Sequence, residues 1–537
     1  MKKINYISTL FTLDFLAVAV NMPAQNLYIE KKDASATEEF KISDIDNIVF
    51  VPESSVNENV NVVYIMTDEQ SHYMISEISK NLTGQYANNP YFSTPNLDKL
   101  IKKGYAFANA YCGNAVSVPS RFALLTGESP NKYGNTGNVT TSKTTSPGRT
   151  QMQSVIQTRS MGQLFKKAGY ETVYGGKVHL PFSGGGNNVS QEPTYYGFDT
   201  YLTWNDRDIL AQKGVEFLNT YNGSKPFLLF LSFMNPHDIC MAQLLWSTTQ
   251  TSLDDFPSAD RDELLARANQ LYWQGIYKAM PPSSWNEGTL AKLPDNYAST
   301  SNNFPINNLS SVNSSYSNDA RKRASIWFYY RLMEQVDAEI GQVLTALENS
   351  PFKDNTVIIF TSDHGDMGIS HNLTAKNLPY QECQKVPLIF VGNGVPQGVI
   401  DTESLVCSGW DLLPTMLDLM GLPIPNELNG QGGISLLDKM TKNTPITRQY
   451  VYTETVNSCV VLDGTYKYIR FFPTFPGGGD SPYTLATGQT EALFNLQTDP
   501  GELNNLAGNS SYNTIKETLK TVLQAEVNKR GIANVTI

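Results

Sequence analysis

Short apolar runs recur along the chain at NVNVVYIMTDEQ, ETVYGG, KPFLLFLSFMNPHD, NTVIIFTSDHG and VPLIFVGNG. A strand that is apolar at consecutive positions is buried on both faces, as in a parallel sheet covered by helices. Between these runs the period changes. STPNLDKLIKKGYAFANAY and SMGQLFKKAGYETVYGGK each join a helical pattern to a strand, and residues 319–350 form a long amphipathic stretch. This βα alternation predicts an α/β protein with a large, mostly parallel sheet sandwiched by helices.

Three regions depart from the alternation. Residues 26–57 alternate apolar and polar positions and predict a small hairpin followed by a linker. Residues 239–317 are rich in Trp, Tyr, Asn and Ser and too long for a plain connection, which makes them a candidate substrate-facing insertion. From about residue 430 the pattern shifts to QYVYTETVNSCVVLDGTYKYIRFF, closed by a helical stretch at 513–529. That predicts a smaller α+β domain over 431–537 with an antiparallel sheet, after a main domain over 59–430.

Lys2 and Lys3 precede a mainly apolar run from Tyr6 to Val20, with small residues following at Ala19 and Ala24. This order predicts a secretory leader over residues 1–24, with 25–58 as an extension, and a periplasmic or secreted protein. Asp14 interrupts the run, so a buried N-terminal element is the competing reading. No later stretch approaches the ~18 apolar residues that span a bilayer. The first cysteine is Cys112, too late for a lipid anchor, and the five cysteines lack CxxC spacing. They are expected as small core residues with at most one or two bridges, not as a metal cluster. Net charge is −11 and the isoelectric point near 5.1. That balance excludes generic binding to nucleic acid or anionic membranes. An anionic substrate would therefore need its cations gathered in one pocket.

In an open parallel sheet, ligands sit beyond the carboxyl ends of the strands. Asp68 and Glu69 end the first apolar run, Asp363 and His364 end VIIFTS, His237 follows FLLFLSF, and Lys177 and His179 follow ETVYGG. Two carboxylates from one strand end, with a carboxylate and an imidazole from another, suit a hard divalent cation such as Ca2+. Any one pair is an ordinary turn or cap, so their convergence carries the reading. Four of the five histidines fall at strand ends or adjacent loops. In SVPSRFALLTG (117–127), Pro119 suits the first turn of a helix, which places Ser117 just before a helix N-terminus. Arg121, one turn on, is positioned to reach back towards Ser117. A bare serine with no neighbouring base is a poor nucleophile.

SVPSRFALLTG resembles the signature of the type I sulfatases, in which the first residue is converted to formylglycine (3-oxoalanine). The resemblance extends, in order, through NVVYIMTDEQ, TPNLDKLIKKGYAFANAY, GYETVYGGKVHL, SFMNPHD, DHGDMGISHNLTAKNLPYQECQKVPLIF and LFNLQTDPGELNNLA, covering about residues 60–510. It implies an alkaline-phosphatase-like fold and a sulfuric ester hydrolase, acting by further cues on a sulfated carbohydrate. It implies that Asp68, Glu69, Asp363 and His364 hold one Ca2+ together with the modified Ser117. Arg121 would support the ionised nucleophile, Lys177 and Lys376 would clamp the sulfate, His237 would protonate the leaving oxygen and His179 would draw a proton from the nucleophile. His371 would be a further substrate contact. Three departures narrow this. Ser117 stands where cysteine is an alternative, implying a serine-type anaerobic radical maturation enzyme as partner. Glu69 replaces the commoner aspartate. His364 replaces the commoner asparagine, which leaves a transition metal open. The alternatives are a phosphatase or phosphonate hydrolase of the same superfamily, or an inactive glycan-binding homologue.

Overall fold

Eight strands build the main sheet: β1 (Asn61–Asp68), β2 (Gly104–Phe107), β3 (Glu171–Gly176), β4 (Thr200–Tyr201), β5 (Phe227–Pro236), β6 (Thr356–Ser362), β7 (Leu388–Gly392) and β8 (Val399–Asp401). Across the sheet they run β8-β2-β7-β6-β1-β5-β3-β4. Every neighbouring pair is parallel except the two that flank β7. The computed structural model describes residues 26–30, 37–41, 60–82, 88–134, 137–138, 147–181, 192–204, 207, 209–240, 306–307, 319–430, 432–472, 484–485, 490–532 and 535–537. The expected leader and nearly all of the candidate insertion lie outside the described residues. Asn26–Glu30 and Thr37–Lys41 pair antiparallel, as the alternation there implies.

The apolar runs are the central strands. β1 is buried at every position, and Leu228, Leu229, Phe230 and Leu231 of β5 are fully buried beside it. Helix α1 (Pro95–Lys103) has proline at its first position and Lys102 and Lys103 in its last turn, both favourable to the helix dipole. Helix α2 (Ser117–Thr126) is described with the site. Helices α3 (Leu210–Thr220) and α4 (Asp319–Glu348) pack together, and α4 also packs on α1 and β5. Leu332, Val336, Ile340, Val343 and Leu347 recur at the spacing that keeps one face of α4 in the core.

A second sheet joins β9 (Val451–Glu454), β10 (Ser458–Leu462), β11 (Tyr466–Phe471) and β12 (Glu491–Asn495) in antiparallel order. Helix α5 (Asn513–Lys529) buries Leu519, Leu523 and Val527 against it. Its core also takes in Cys112, Met367, Leu378, Cys383 and Trp410, residues from loops and helices that follow main-sheet strands. Asn114 bridges to Glu454, and the Trp410 indole N–H donates to the Tyr452 carbonyl at 2.9 Å. Four cysteines are buried, Cys240 is half-buried, and all five are unpaired. No described helix is long and apolar enough to cross a membrane.

Candidate active site

Strand register brings the acidic ends together. Thr67 of β1 pairs with Ser362 of β6, and Asp68 lies opposite Pro236 of β5. The next residue along each chain is therefore Asp363 on one side and His237 on the other. Past Asp68 the chain turns sharply at Glu69, whose φ of +70° is uncommon for a side-chain-bearing residue. The turn is held from two sides. Glu69 N–H donates to Asp363 Oδ1 at 3.1 Å, and the Tyr329 hydroxyl of α4 donates to the Glu69 carbonyl. At the neighbouring strand end, Gly176 has φ +89° and packs so closely on β5 that a Cβ would meet the Ser232 carbonyl at 2.1 Å. Lys177 N–H then donates to that same carbonyl at 2.8 Å, which aims its side chain inward.

Ser117 is the first residue of α2, with Val116 as the cap, so Pro119 stands third in the helix and Ser117 lies inside the first turn rather than before it. Proline costs nothing there, because the first backbone N–H groups of a helix have no partner within it. His364 Nδ1 donates to the Gly365 carbonyl at 2.9 Å, which leaves Nε2 as the acceptor. Ser117 Oγ therefore donates to His364 Nε2 at 2.9 Å and accepts from Lys376 Nζ at 3.2 Å. Arg121 does not reach back to Ser117. Its guanidinium spans Asp68 Oδ2 (2.5 Å), Asp363 Oδ2 (3.0 Å), Ser232 Oγ (2.7 Å) and the Lys177 carbonyl (3.1 Å). The reason is competition: two buried carboxylates hold a buried guanidinium more strongly than a neutral hydroxyl does.

Three carboxylates face three cations. Asp68, Glu69 and Asp363 are fully buried, faced by Arg121, Lys177 and Lys376. Burial would lift Asp68, but Lys177 and Arg121 outweigh it and hold the carboxyl well below the usual range. Burial pushes Glu69 up to about 8, against Lys376, and Asp363 up to about 7 with help from the Asp68 charge. Burial, then nearby lysines, depress His237 and His179, and burial with Lys376 depresses His364, so all three rings are neutral at neutral pH. Lys177 is lowered by burial, whereas Glu69 and Asp68 overcome burial to keep Lys376 above the usual lysine range.

The model of the sulfatase family matches residues 60–422, about two thirds of the chain. The chain belongs to the sulfatase family. A second model, the C-terminal region of N-sulphoglucosamine sulphohydrolase, matches residues 370–529. This sulfatase is 27% identical over 471 residues to a Delta 4,5-hexuronate-2-O-sulfatase of Bacteroides thetaiotaomicron, covering 83% of this chain and 86% of the relative. It is 24% identical to an N-acetylglucosamine-6-O-sulfatase of the same organism, covering 88% and 87%. Its fold matches the structure of a 2-O GAG sulfatase with a TM-score of 0.64, at 23% identity and with 88% and 93% of the two chains covered. The two-sheet α/β architecture is thus the alkaline-phosphatase-like fold, and the protein is a sulfuric ester hydrolase.

The sulfatase's metal-binding capacity can be tested on its own donors. Ligand atoms of Asp68, Asp363 and His364 lie within 4.8 Å of one another, and Asp68 Oδ1 is buried with no hydrogen-bond partner. A buried carboxylate oxygen with no hydrogen bond, only Lys376 Nζ at 3.9 Å, in a mostly oxygen donor set, fits a hard divalent ion. Glu69 turns differently: its carboxylate groups with His237 and Cys240. The Glu69 backbone N–H stays with Asp363 while the longer side chain points to the other side.

His179 takes φ +41° and its Nδ1 is buried without a partner; His237 Nδ1 is likewise unpartnered. His371 is elsewhere. Its ring stacks on Tyr380 at 3.9 Å, is nearly fully buried and feels Glu382, Lys467 and Asp499 rather than the Ser117 cluster. Two residues that border the site carry little signal in the sequence. Ser232 lies inside an apolar strand, and Cys240 reads as a core residue yet faces Glu69, with Sγ 3.2 and 3.4 Å from its carboxylate oxygens. His-x-x-Cys spacing directly after a strand is the feature that would have found the second.

Proposed function

We propose that this sulfatase is exported and removes sulfate from sulfated glycans of the mucin or glycosaminoglycan kind, using formylglycine made from Ser117 and a bound Ca2+. The observation that carries the reading is the convergence of His364 and Lys376 on Ser117 Oγ, next to the bare oxygen of Asp68. Export rests on Lys2, Lys3 and the apolar run that follows them. The glycan class rests on relatives named for sulfated uronate and N-acetylglucosamine. Trp204 adds to it: it is 69% exposed, and the adjoining Thr203 carbonyl accepts the Gly176 N–H at 2.8 Å, beside Lys177. An open aromatic face there suits the apolar face of a sugar ring.

Asp68, Asp363, His364 and residue 117 would hold the Ca2+, with Glu69 as a further ligand. When present, the ion would supply positive charge to the nucleophile and to a sulfate oxygen, and the hydrated aldehyde at 117 would supply both the attacking oxygen and the means to release sulfate afterwards. The side chains do the rest. Arg121 locks Asp68 and Asp363 in place. Lys177 and Lys376, which touch Asp68 and Glu69, would bind the sulfate oxygens. His237, half-buried at the open side and kept neutral by desolvation and nearby lysines, would take up a proton beside the bound sulfate and hold it at the leaving sugar oxygen. His179 would take a proton from the second hydroxyl at 117. A divalent ion added to three carboxylates balanced by three cations leaves a net positive pocket, which reconciles an acidic protein with an anionic substrate.

The test is sulfate and phosphate release from a panel of defined sulfated and phosphorylated mono- and disaccharides. The protein is co-produced with a serine-type maturation enzyme, the mass of the Ser117 peptide is measured, and Ser117→Ala serves as blank. Sulfate release from one regioisomer, absent in the blank, supports the proposal. Phosphate release alone sinks it.

A further inference from the structure

Cys240 brings a soft donor to the open side of the site. Its Sγ lies 3.2 Å from Glu69 Oε2 and 3.4 Å from Oε1, and His237 Nε2 lies 3.9 Å from Oε2. One ligand atom from each of the three residues falls within 4.8 Å of the others. A tetrahedral ion with bonds of about 2.0–2.3 Å sets its neighbouring donors about 1.6 bond lengths apart, roughly 3.3–3.8 Å. With Glu69 Oε2 as the carboxylate ligand, its separations from Cys240 Sγ and His237 Nε2, 3.2 and 3.9 Å, bracket that edge, and the third pair of ligand atoms lies within 4.8 Å. Thiolate, imidazole and a single carboxylate form a zinc-type donor set with one position left open. The same set is poor for Ca2+, which takes oxygens in larger number. Local chain geometry builds it: Cys240 N–H donates to the His237 carbonyl at 3.0 Å, so one turn after β5 presents both side chains together. The thiol is half-buried and unpaired, and His237 Nδ1 has no partner holding the ring.

We infer that Glu69, His237 and Cys240 form a second metal site, selective for Zn2+ or a similarly soft divalent ion, beside the hard group of Asp68, Asp363 and His364. Glu69 joins the two sides. Its Oε1 faces Lys376 at 3.4 Å, and its Oε2 faces His237 and Cys240. As the metal–sulfur bond forms, the Cys240 S–H proton passes to solvent, and the imidazole lone pair of His237 is taken by the ion. With its Nε2 held by the ion, His237 keeps its one proton on Nδ1 and has none on Nε2 to give a leaving oxygen, so zinc-class ions stop sulfate release while the hard site stays filled. The site rests on geometry alone; the inhibition also rests on the role proposed for His237.

The test titrates Co2+ into matured, Ca2+-saturated full-length protein and reads the thiolate-to-cobalt charge-transfer absorption, for wild type, Cys240→Ser and Cys240→Ala. The expected result is a band that saturates at one thiolate-bound cobalt per chain in wild type and is missing in both variants, which keep their basal sulfate release. In the same proteins Zn2+ inhibits wild type, and the variants need at least ~10-fold more of it. No band in wild type, or an equal band in the variants, overturns the site. A Cys240-dependent band with no zinc inhibition leaves the site standing and overturns His237 as the leaving-group acid.

Discussion

Two donor groups stand side by side at the carboxyl edge of the main sheet, and they are built differently. Asp68, Asp363 and His364 extend from adjacent parallel strands, are fully buried, and are tied by Arg121, which bonds Asp68, Asp363 and the Ser232 hydroxyl at once. Glu69, His237 and Cys240 come from turns: one residue at positive φ, and two from the short turn after β5, both half-buried. The strand ladder sets positions to within a hydrogen bond and yields a dry, hard, oxygen-rich group. Turns place side chains with more latitude, and here they put a thiol and an imidazole on the half-buried side of the site. One sheet edge thus carries both the fixed chemistry and a tunable rim.

That contrast can be broken most severely at Ser117. In Ser117→Ala, sulfate release should fall by ~10^4-fold or more, since nothing replaces the nucleophile, while thermal unfolding shifts little. Next comes Arg121→Met, which leaves Asp68 and Asp363 buried without their shared partner. It should cost about 3–5 kcal/mol of stability, read as a lowered midpoint in chemical denaturation, with Ca2+ restoring part of the loss. An unchanged midpoint would mean that the brace contributes nothing.

On the softer side, His237→Ala should lower kcat on sulfated sugars by roughly 10^2–10^3-fold but spare turnover of 4-nitrophenyl sulfate, whose leaving group needs no proton. Equal losses on both substrates would remove His237 from that role. Smaller still is a pH effect on metal binding. Without metal, Glu69 and Asp363 keep protons up to about 8 and about 7 because they are buried. Ca2+ must displace those protons, so its apparent affinity should weaken as pH falls through this window, by about tenfold per unit for each proton displaced. Calorimetry in buffers of different ionisation enthalpy reads the protons directly, and a pH-independent Kd would contradict it. The smallest expected effect is on basal activity in Cys240→Ser, less than about twofold, because the thiol touches Glu69 and no reacting atom.

Much of this is legible in the sequence. Runs such as KPFLLFLSFMNPHD are buried strands because apolar side chains on both faces leave no other low-energy place, and helix 319–348 follows from its period. Asp68, Asp363, Lys177 and His237 were legible as strand-end residues, since parallel strands deliver their last residues to one edge. Other features escaped for physical reasons. Helical spacing points Arg121 towards Ser117, but deep burial makes two carboxylates its partners. Ser232 is one polar residue in an apolar strand, and nothing local reveals which cation lies across from it. His371 fits a family pattern, yet stacking on Tyr380 sets it in the neighbouring core.

By itself, then, the order of residues determined the elements, the parallel sheet and which chemical groups reach its edge, because periodicity and strand-end position are local properties. The tertiary structure alone decided their pairing. Burial strips water from Asp68, Glu69 and Asp363, so each must find whatever cation or donor the neighbouring strands present, and register chooses it. One positive φ, at Glu69, then parts two adjacent acids into different company: Asp68 with Arg121 and Lys177, Glu69 with His237 and Cys240.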